Sequence, residues 1–199
     1  MIGTIIITLF QVQLIVFVVV VVAYFSIMAY KARKASNLLA RLWVVDRAWD
    51  SDELKWRLDE LRTKIIRALE WGNLAPVKVL MTEGLYEQLK DKTVKEVGLT
   101  KPGWGHTVVS ALKNVVDVED YRDNSRDRLG LYVSQVSLRG RGARALPDEL
   151  WTFVRRGDEW IVGDINPEAS IFDLIKSRAY SEPLTISDNM EKWKRQTGR

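Results

Sequence analysis

The chain has 199 residues, which is enough for one ordinary domain and an anchoring segment. It contains no cysteine and a single histidine, which excludes disulfides, thiolate chemistry, iron–sulfur clusters and zinc sites built on cysteine or on several histidines. The formal net charge is +4, from 30 basic and 26 acidic residues. Because the two signs alternate along the chain, we expect a solvated surface and no nucleic-acid-binding stripe.

The N-terminal segment is apolar. Residues 1–30 carry no charged side chain, and a run of about 20 apolar residues is enough to cross the hydrocarbon core of a bilayer. The sequence therefore predicts a transmembrane helix over residues 1–30. The segment lacks the basic start and the short apolar core of a cleaved signal peptide, so we expect a retained anchor. Gln11 and Gln13 are predicted either to contact a partner helix or to lie near the headgroups.

A basic cluster follows the apolar segment at Lys31, Arg33, Lys34 and Arg41. The positive-inside rule places the C-terminal side in the cytoplasm, or in the matrix or stroma of an organelle, with the N-terminus outside. These bases are predicted to contact anionic lipid headgroups, each contributing about 1 kcal/mol. Residues 31–48 form a juxtamembrane connector, which either continues the membrane helix or lies along the surface.

Helices are predicted in the next part of the chain. Asp50 is a candidate N-cap, with Glu53 placed for a capping box, and Gly72 is a candidate C-terminal stop. Between them, apolar residues recur every three or four positions, which indicates one buried helix face. That face consists of Leu54, Leu58, Leu61, Ile65 and Leu69. Two shorter helices are predicted over residues 74–81 and 83–97.

The pattern then changes to the alternation that is typical of strands. A Val-rich strand is predicted over residues 108–119, a second over 129–134, and a closing hairpin over 149–156 and 159–165. Helices followed by strands indicate an α+β domain, with the helices packed on one face of a curved antiparallel sheet. The domain is assigned to residues 49–166.

Two basic or polar segments remain. The Gly-rich segment that carries Arg139, Arg141 and Arg144 lacks the strand–turn–helix context of a phosphate-binding loop. It is predicted to be either a flexible connector or a contact for lipid or an acidic partner. Residues 167–199 are predicted to form a C-terminal helix and a tail.

Five segments of the domain together resemble a known family, the Tim44-like domain, which is a branch of the NTF2-like superfamily. They are WDSDEL at 49–54, IRALEWGNL at 66–74, LMTEGLY at 80–86, ELWTFVR at 149–155 and DEWIVGDI at 158–165. The resemblance implies a cone made by helices on a curved sheet, and a role in tethering partners at membranes. This chain lacks the long charged N-terminal region of the mitochondrial import protein, so recruitment of an import motor is not implied.

An apolar concavity inside such a cone is the site that the resemblance suggests. Five aromatic residues are candidates either to line this concavity or to form a docking site for partners: Trp104, Tyr132, Trp151, Phe153 and Trp160. The alternative is that these aromatic side chains are core residues. Trp151 and Phe153 share a face of their strand, because alternate residues of a strand point to the same side.

Enzymatic activity is not expected. Some NTF2-like proteins abstract a proton with an Asp or a His–Asp pair, and the candidates here are His106, Asp117 and Asp164. A general base needs a tuned pKa and a substrate within hydrogen-bond reach, and the sequence indicates neither. No catalytic residue, metal or cofactor is therefore predicted.

The resulting hypothesis is a non-catalytic, membrane-anchored scaffold or accessory subunit of a larger membrane complex, in its specific form a respiratory or photosynthetic one. The eight tryptophans favour it, because tryptophan is enriched in protein interfaces. The expected partners are membrane lipid and other subunits, with no nucleic acid. Two alternatives remain open: a module that binds a lipid or other apolar ligand in the cone, and a component of a protein translocation or secretion apparatus.

Overall fold

The computed structural model describes residues 2–99, 107–121, 123–139 and 142–182. It begins with α1 (Ile2–Val45), a single helix of 44 residues. At 1.5 Å per residue, this helix is about 66 Å long. Of the two alternatives for residues 31–48, the structure shows the first, since the helix continues through residue 30 without a break.

The first half of α1 packs against little else. Among the described residues, one helix is long and apolar enough to cross a membrane, and only 6 % of its most apolar stretch is buried. Large apolar side chains are exposed on every side of it, including Phe10, Ile15, Phe17, Val19 and Val22. The core helix of a soluble domain would bury one face, so this surface is unusual for a protein in water.

Among the described residues, two helices and two 3-10 turns lie between α1 and the sheet. They are a 3-10 turn (Arg47–Trp49), α2 (Ser51–Glu70), a 3-10 turn (Ala75–Leu80) and α3 (Glu83–Leu89). The predicted helix over 74–81 is thus a 3-10 turn. The helix predicted over 83–97 ends at Leu89, and Thr93 begins a separate turn in which its amide and hydroxyl both donate to Glu96. Such local side-chain bonds compete with helix continuation.

The ends of α2 lie where they were predicted, at Asp50 and Gly72, but the capping box with Glu53 is not formed. The Asp50 carboxylate accepts hydrogen bonds from the amides of Asp52 and Glu53, while its own amide donates to Arg47 O. Asp50 is therefore the N-cap, although its amide is satisfied by the preceding turn. Gly72 follows the helix with a φ of 67°, the left-handed conformation that favours glycine.

One six-stranded sheet forms the rest of the domain. Its strands are β1 (Thr107–Asp120), β2 (Arg128–Arg139), β3 (Gly142–Ala145), β4 (Asp148–Arg156), β5 (Glu159–Ala169) and β6 (Ala179–Ser181), with α4 (Ile171–Lys176) between the last two. The order is β5-β4-β2-β1-β6, and β3 pairs with the end of β2. The predicted hairpin of β4 and β5 is confirmed.

Two details of the sheet correct the sequence prediction. First, β6 runs parallel to β1, so the sheet is mixed; α4 turns the chain so that a short strand returns beside the end of β1. Second, the basic segment predicted as a loop is largely strand. Arg139 is the last residue of β2 and pairs with Gly142, while Arg144 in β3 pairs with Ser137.

The domain has apolar clusters on both faces of the sheet. On one face, Leu129, Leu131 and Val133 of β2 pack in the main core with the predicted buried face of α2, which is confirmed. On the opposite face, Met28 of α1 and Leu174 of α4 pack against Val116 and Tyr132. Both faces are therefore covered by helices, which corrects the prediction that helices cover one face.

Candidate functional site

The most informative feature of the structure is the way α1 enters the domain. Its second half supplies Ala35, Leu39 and Leu42 to the main core, and Met28 to the core on the other face. The same helix is thus exposed and apolar at its start and buried within the domain at its end.

A hydrogen-bonded cluster joins α1 to one end of the sheet. The Tyr24 hydroxyl lies 2.9 Å from the Tyr132 hydroxyl and donates to Asp148 Oδ2 over 2.9 Å. The Tyr132 hydroxyl donates to the same oxygen over 2.5 Å. Burial raises the pKa of Tyr132, and its hydrogen bond to Asp148 raises it further. Tyr132 therefore stays a protonated donor over the physiological range.

A second contact ties α1 to α4. The Lys31 ammonium donates to Ile175 O over 2.8 Å and to Ser177 O over 2.6 Å. Cations are favourable at helix C-termini, where carbonyl groups lack partners within the helix. Lys31, predicted to contact headgroups, is thus engaged within the protein, whereas Arg33, Lys34 and Arg41 are exposed.

A buried ionic cluster fixes the far end of α1. Arg155 Nη1 lies 2.5 Å from Asp46 Oδ2 and 3.3 Å from Asp127 Oδ2, and Arg155 Nε donates to Gly157 O. The exposed fractions of Arg155, Asp46 and Asp127 are 3 %, 4 % and 0 %. Burial alone lowers the pKa of Arg155, but the hydrogen bond and charge of Asp46 and the charge of Asp127 raise it overall. The guanidinium is therefore permanently charged.

These contacts define two ends of the domain. The proximal end is where Tyr24 meets Asp148, at the start of β4; the distal end is where Asp46 meets Arg155, near the end of β4. The 22 residues from Tyr24 to Asp46 span about 33 Å of helix. The helix and β4 therefore run in the same general direction, away from the exposed apolar half of α1.

An open pocket lies at the distal end. It has a volume of about 360 Å³ and is lined by residues that include Asp46, Asp50, Arg57 and Trp160. Trp160 is held in its wall by a hydrogen bond from its indole N–H to Ala48 O and by an edge contact with Trp49, with ring centroids 5.0 Å apart.

The aromatic residues predicted to line a cone are core residues wherever the structure describes them. Trp151, Phe153 and Trp160 belong to the main core, and Tyr132 lies on the opposite face. Trp151 and Phe153 share a face, as predicted. All four are buried, so they offer a partner little exposed surface. Trp104 lies outside the described residues.

Sequence reasoning missed a buried polar cluster. Glu149 Oε2 accepts hydrogen bonds from Arg62 Nε, over 3.0 Å, from Arg62 Nη2, over 2.7 Å, and from the Trp151 indole, over 2.9 Å. Glu149 Oε1 is buried and has no hydrogen-bond partner among the described residues. Arg62 belongs to a stretch of alternating charges predicted to be solvated. The signal for burial was its place, four residues after Leu58 on the apolar face.

The two candidate bases that the structure describes, Asp117 and Asp164, do not lie together. Asp117 lies in β1 and Asp164 in β5, with β2 and β4 between them, which separates them by about 14 Å across the sheet. His106 lies outside the described residues. Burial raises the pKa of Asp117, although a hydrogen bond from the Arg178 amide opposes this. Asp164 is exposed.

The remaining predicted residues are placed as follows. Gln11 and Gln13 lie in the exposed half of α1, without a contact that tests a partner role. Arg141 lies outside the described residues. In the part of the chain that the structure describes, no group of three or more His, Asp or Glu side chains is arranged to hold a metal.

Comparison with known proteins adds no relative. No protein-family model matches the chain, no curated protein matches it, and no solved structure matches it.

Proposed function

We propose that the protein is a non-catalytic, single-pass membrane protein that holds its α+β domain in a fixed orientation at the membrane surface, as a docking subunit of a larger membrane complex. The observation that carries this proposal is the dual role of α1. The helix is an exposed apolar rod at one end and part of the domain core at the other.

A fixed orientation follows from the contacts along α1. A flexible tether would leave the domain free to rotate, whereas this helix is attached near Tyr24, at Lys31 and at Asp46. The apolar core packing between these points leaves no loop at which the domain turns. Such a rigid attachment suits a protein that presents one surface to neighbouring proteins in the membrane.

The side of the membrane is proposed from charge. Arg33, Lys34 and Arg41 are exposed just after the apolar half of α1. Under the positive-inside rule, they favour the cytoplasm, or an organellar matrix or stroma, as the side that holds the domain. We retain the inner or cytoplasmic membrane as the proposed location.

The distal pocket is the proposed docking surface. Trp43 and Trp56 have exposed fractions of 52 % and 67 %, and each lies within three residues of a residue that lines the pocket. Tryptophan is enriched among the residues that contribute most of the binding energy in protein interfaces. The pocket also carries both signs of charge, which provides specificity more than affinity.

The resemblance to Tim44-like domains is compatible with this proposal. Helices that precede a sheet, and the closing hairpin of β4 and β5, follow the order that the family leads us to expect. We propose an NTF2-like cone on that basis. The role of the family in tethering partners at membranes is proposed for this chain by analogy.

A native-gel experiment tests the proposal. Membranes that contain the full chain are extracted with a mild detergent, and its migration is compared with that of the W43A/W56A double variant. We expect the wild-type chain in a band well above its monomer mass, and the variant shifted toward the monomer. The matched control is V79A, another exposed apolar position, which should leave the band unchanged. A wild-type chain that migrates as a monomer or simple homodimer contradicts the proposal.

Binding of a lipid inside the cone is less well supported. Trp151 and Phe153, which would line the cavity, are fully buried in contact with the rest of the main core. Close-packed interiors leave little room for a ligand. A lipid that copurifies with the detergent-extracted protein in a fixed ratio, and is lost in a W151A variant, would favour this alternative.

A further inference from the structure

The short helix α4 carries apolar side chains that the domain does not bury. Leu174 faces the core and is fully buried, whereas Phe172 and Ile175 have exposed fractions of 68 % and 50 %. Residues three apart lie on the same side of a helix, so Phe172 and Ile175 form one apolar surface. Burying it in water-free surroundings would be favourable.

This surface lies beside the apolar half of α1. A groove of about 280 Å³ is lined by Val20, Val21, Tyr24 and Phe25 from α1, and by Ile171 at the start of α4. At its other end, α4 is held by the Lys31 ammonium. The short helix α4 therefore lies alongside the part of α1 between Val20 and Lys31.

That level is where a membrane-spanning α1 would leave the bilayer. Residues 2–23 of the helix rise about 33 Å, close to the hydrocarbon thickness of about 30 Å. If the span covers residues 2–23 and ends before the polar contact of Tyr24 with Asp148, residues 20–31 lie at the boundary between acyl chains and headgroups. Any side chain held next to them lies at the same depth.

The charges around α4 suit the same location. Lys176 and Arg178 follow the apolar surface and are exposed, and Lys34 is exposed one turn beyond Lys31 on α1. An apolar side with basic residues beside it is the pattern of segments that lie in the membrane interface. Basic side chains close to the surface are attracted to anionic lipids.

We propose that α4 is a second membrane contact, in which Phe172 and Ile175 insert into the interfacial layer of the bilayer beside α1. This inference rests on the proposed function, because it requires α1 to span the membrane. The occupant of the apolar surface is lipid, since Ile171, which precedes Phe172 in α4, lines a groove together with the apolar half of α1. The domain is then attached to the membrane at two points, which opposes its tilting about α1.

Depth-dependent fluorescence quenching tests this inference. The chain has no cysteine, so one cysteine is introduced at a time into the full chain, at Phe172, at Val19 in the apolar half of α1, or at Val44 near its distal end. Each variant is labelled with an environment-sensitive fluorophore and reconstituted into vesicles of phosphatidylcholine and phosphatidylglycerol. Some of the lipids carry nitroxide quenchers on their acyl chains. All three positions are exposed, so labelling should not disturb the fold.

We expect the F172C label to lose most of its fluorescence, close to the loss at V19C, while V44C is hardly quenched. An unquenched F172C label beside a quenched V19C label overturns this inference and leaves the proposed anchor intact; it would indicate that protein covers α4. An unquenched V19C label overturns the membrane anchor itself. I175C provides a second position on α4, and its quenching should follow that of F172C.

Discussion

The Asp46 carboxylate at the end of α1 lies 2.5 Å from the Arg155 guanidinium in β4, although 109 residues separate them in the chain. Both side chains are buried, and Asp127 approaches the same guanidinium. This contact attaches the last turn of a membrane-anchor candidate to the sheet. It gives the domain a defined position relative to the helix.

Loss of Arg155 should destabilise the domain strongly. In R155A, the Asp46 carboxylate stays buried without its cation, and removal of one partner of a buried pair costs about 3–5 kcal/mol. Urea unfolding of the full chain in detergent, followed by tryptophan fluorescence, should show this loss. R57A serves as control, since the Arg57–Glu159 pair is exposed with atoms 3.8 Å apart and such pairs contribute about 0–1 kcal/mol. Equal effects of the two variants would argue against the role of Arg155.

The Arg62–Glu149 pair should show strong coupling. The E149L variant leaves the Arg62 guanidinium buried and unpaired. The R62M variant leaves the Glu149 carboxylate buried and unpaired. Each single variant should therefore be less stable by about 3–5 kcal/mol, whereas the double variant, which removes both charges, should recover much of the loss. A double-mutant cycle from urea unfolding measures this coupling. Additive losses would show that the two charges act independently.

The proximal cluster should make stability sensitive to alkaline pH. The pKa of Tyr132 is raised in the folded state, so its contribution is complete below the unfolded value of about 10 and declines as the pH rises above it. We expect Y132F to be less stable than wild type at neutral pH, with a difference that narrows above about pH 10. Thermal unfolding between neutral pH and pH 11 measures it. If the difference in stability between Y132F and wild type stayed constant over this pH range, it would contradict a raised pKa of Tyr132.

Most carboxylates stabilise a folded protein more as the pH rises, whereas Asp117 should make the domain less stable as the pH rises. Its pKa is raised by burial, so its contribution to stability is present below the unfolded value of about 3.9 and is lost as the pH rises through the folded value. D117N keeps an oxygen for the Arg178 amide and removes the charge. The D117N variant should be at least as stable as wild type at neutral pH. Its free energy of unfolding should also fall less than that of wild type as the pH rises from acid to neutral. D164N, at an exposed carboxylate, should change neither property.

Local features of the fold could be predicted from the sequence. The apolar face of α2, its Asp50 cap and Gly72 stop, and the hairpin of β4 and β5 are all encoded by neighbouring residues. Each depends on spacing or on one backbone preference. These predictions are confirmed by the structure.

Long-range partners could not be predicted in the same way. Lys31 looks like a headgroup contact because basic residues follow the apolar segment, yet its partners are carbonyl groups at Ile175 and Ser177. Arg62 looks solvated because neighbouring residues are charged, yet Glu149 lies 87 residues away. Strand β6 could not be predicted because it has only three residues, too few to show the alternation of apolar and polar residues that indicates a strand. In each case the determining contact is made by a distant part of the chain.

We propose that α1 forms one rigid element from the membrane into the domain core. A double variant, V19C/V44C, carries spin labels at two exposed positions that are 25 residues apart and on the same side of the helix. The distance between the labels is measured by pulsed electron paramagnetic resonance in lipid nanodiscs. A continuous helix predicts a narrow distribution near 38 Å, at about 1.5 Å per residue. A broad distribution that extends to much shorter distances would reveal a joint near Tyr30 and contradict a rigid, continuous α1.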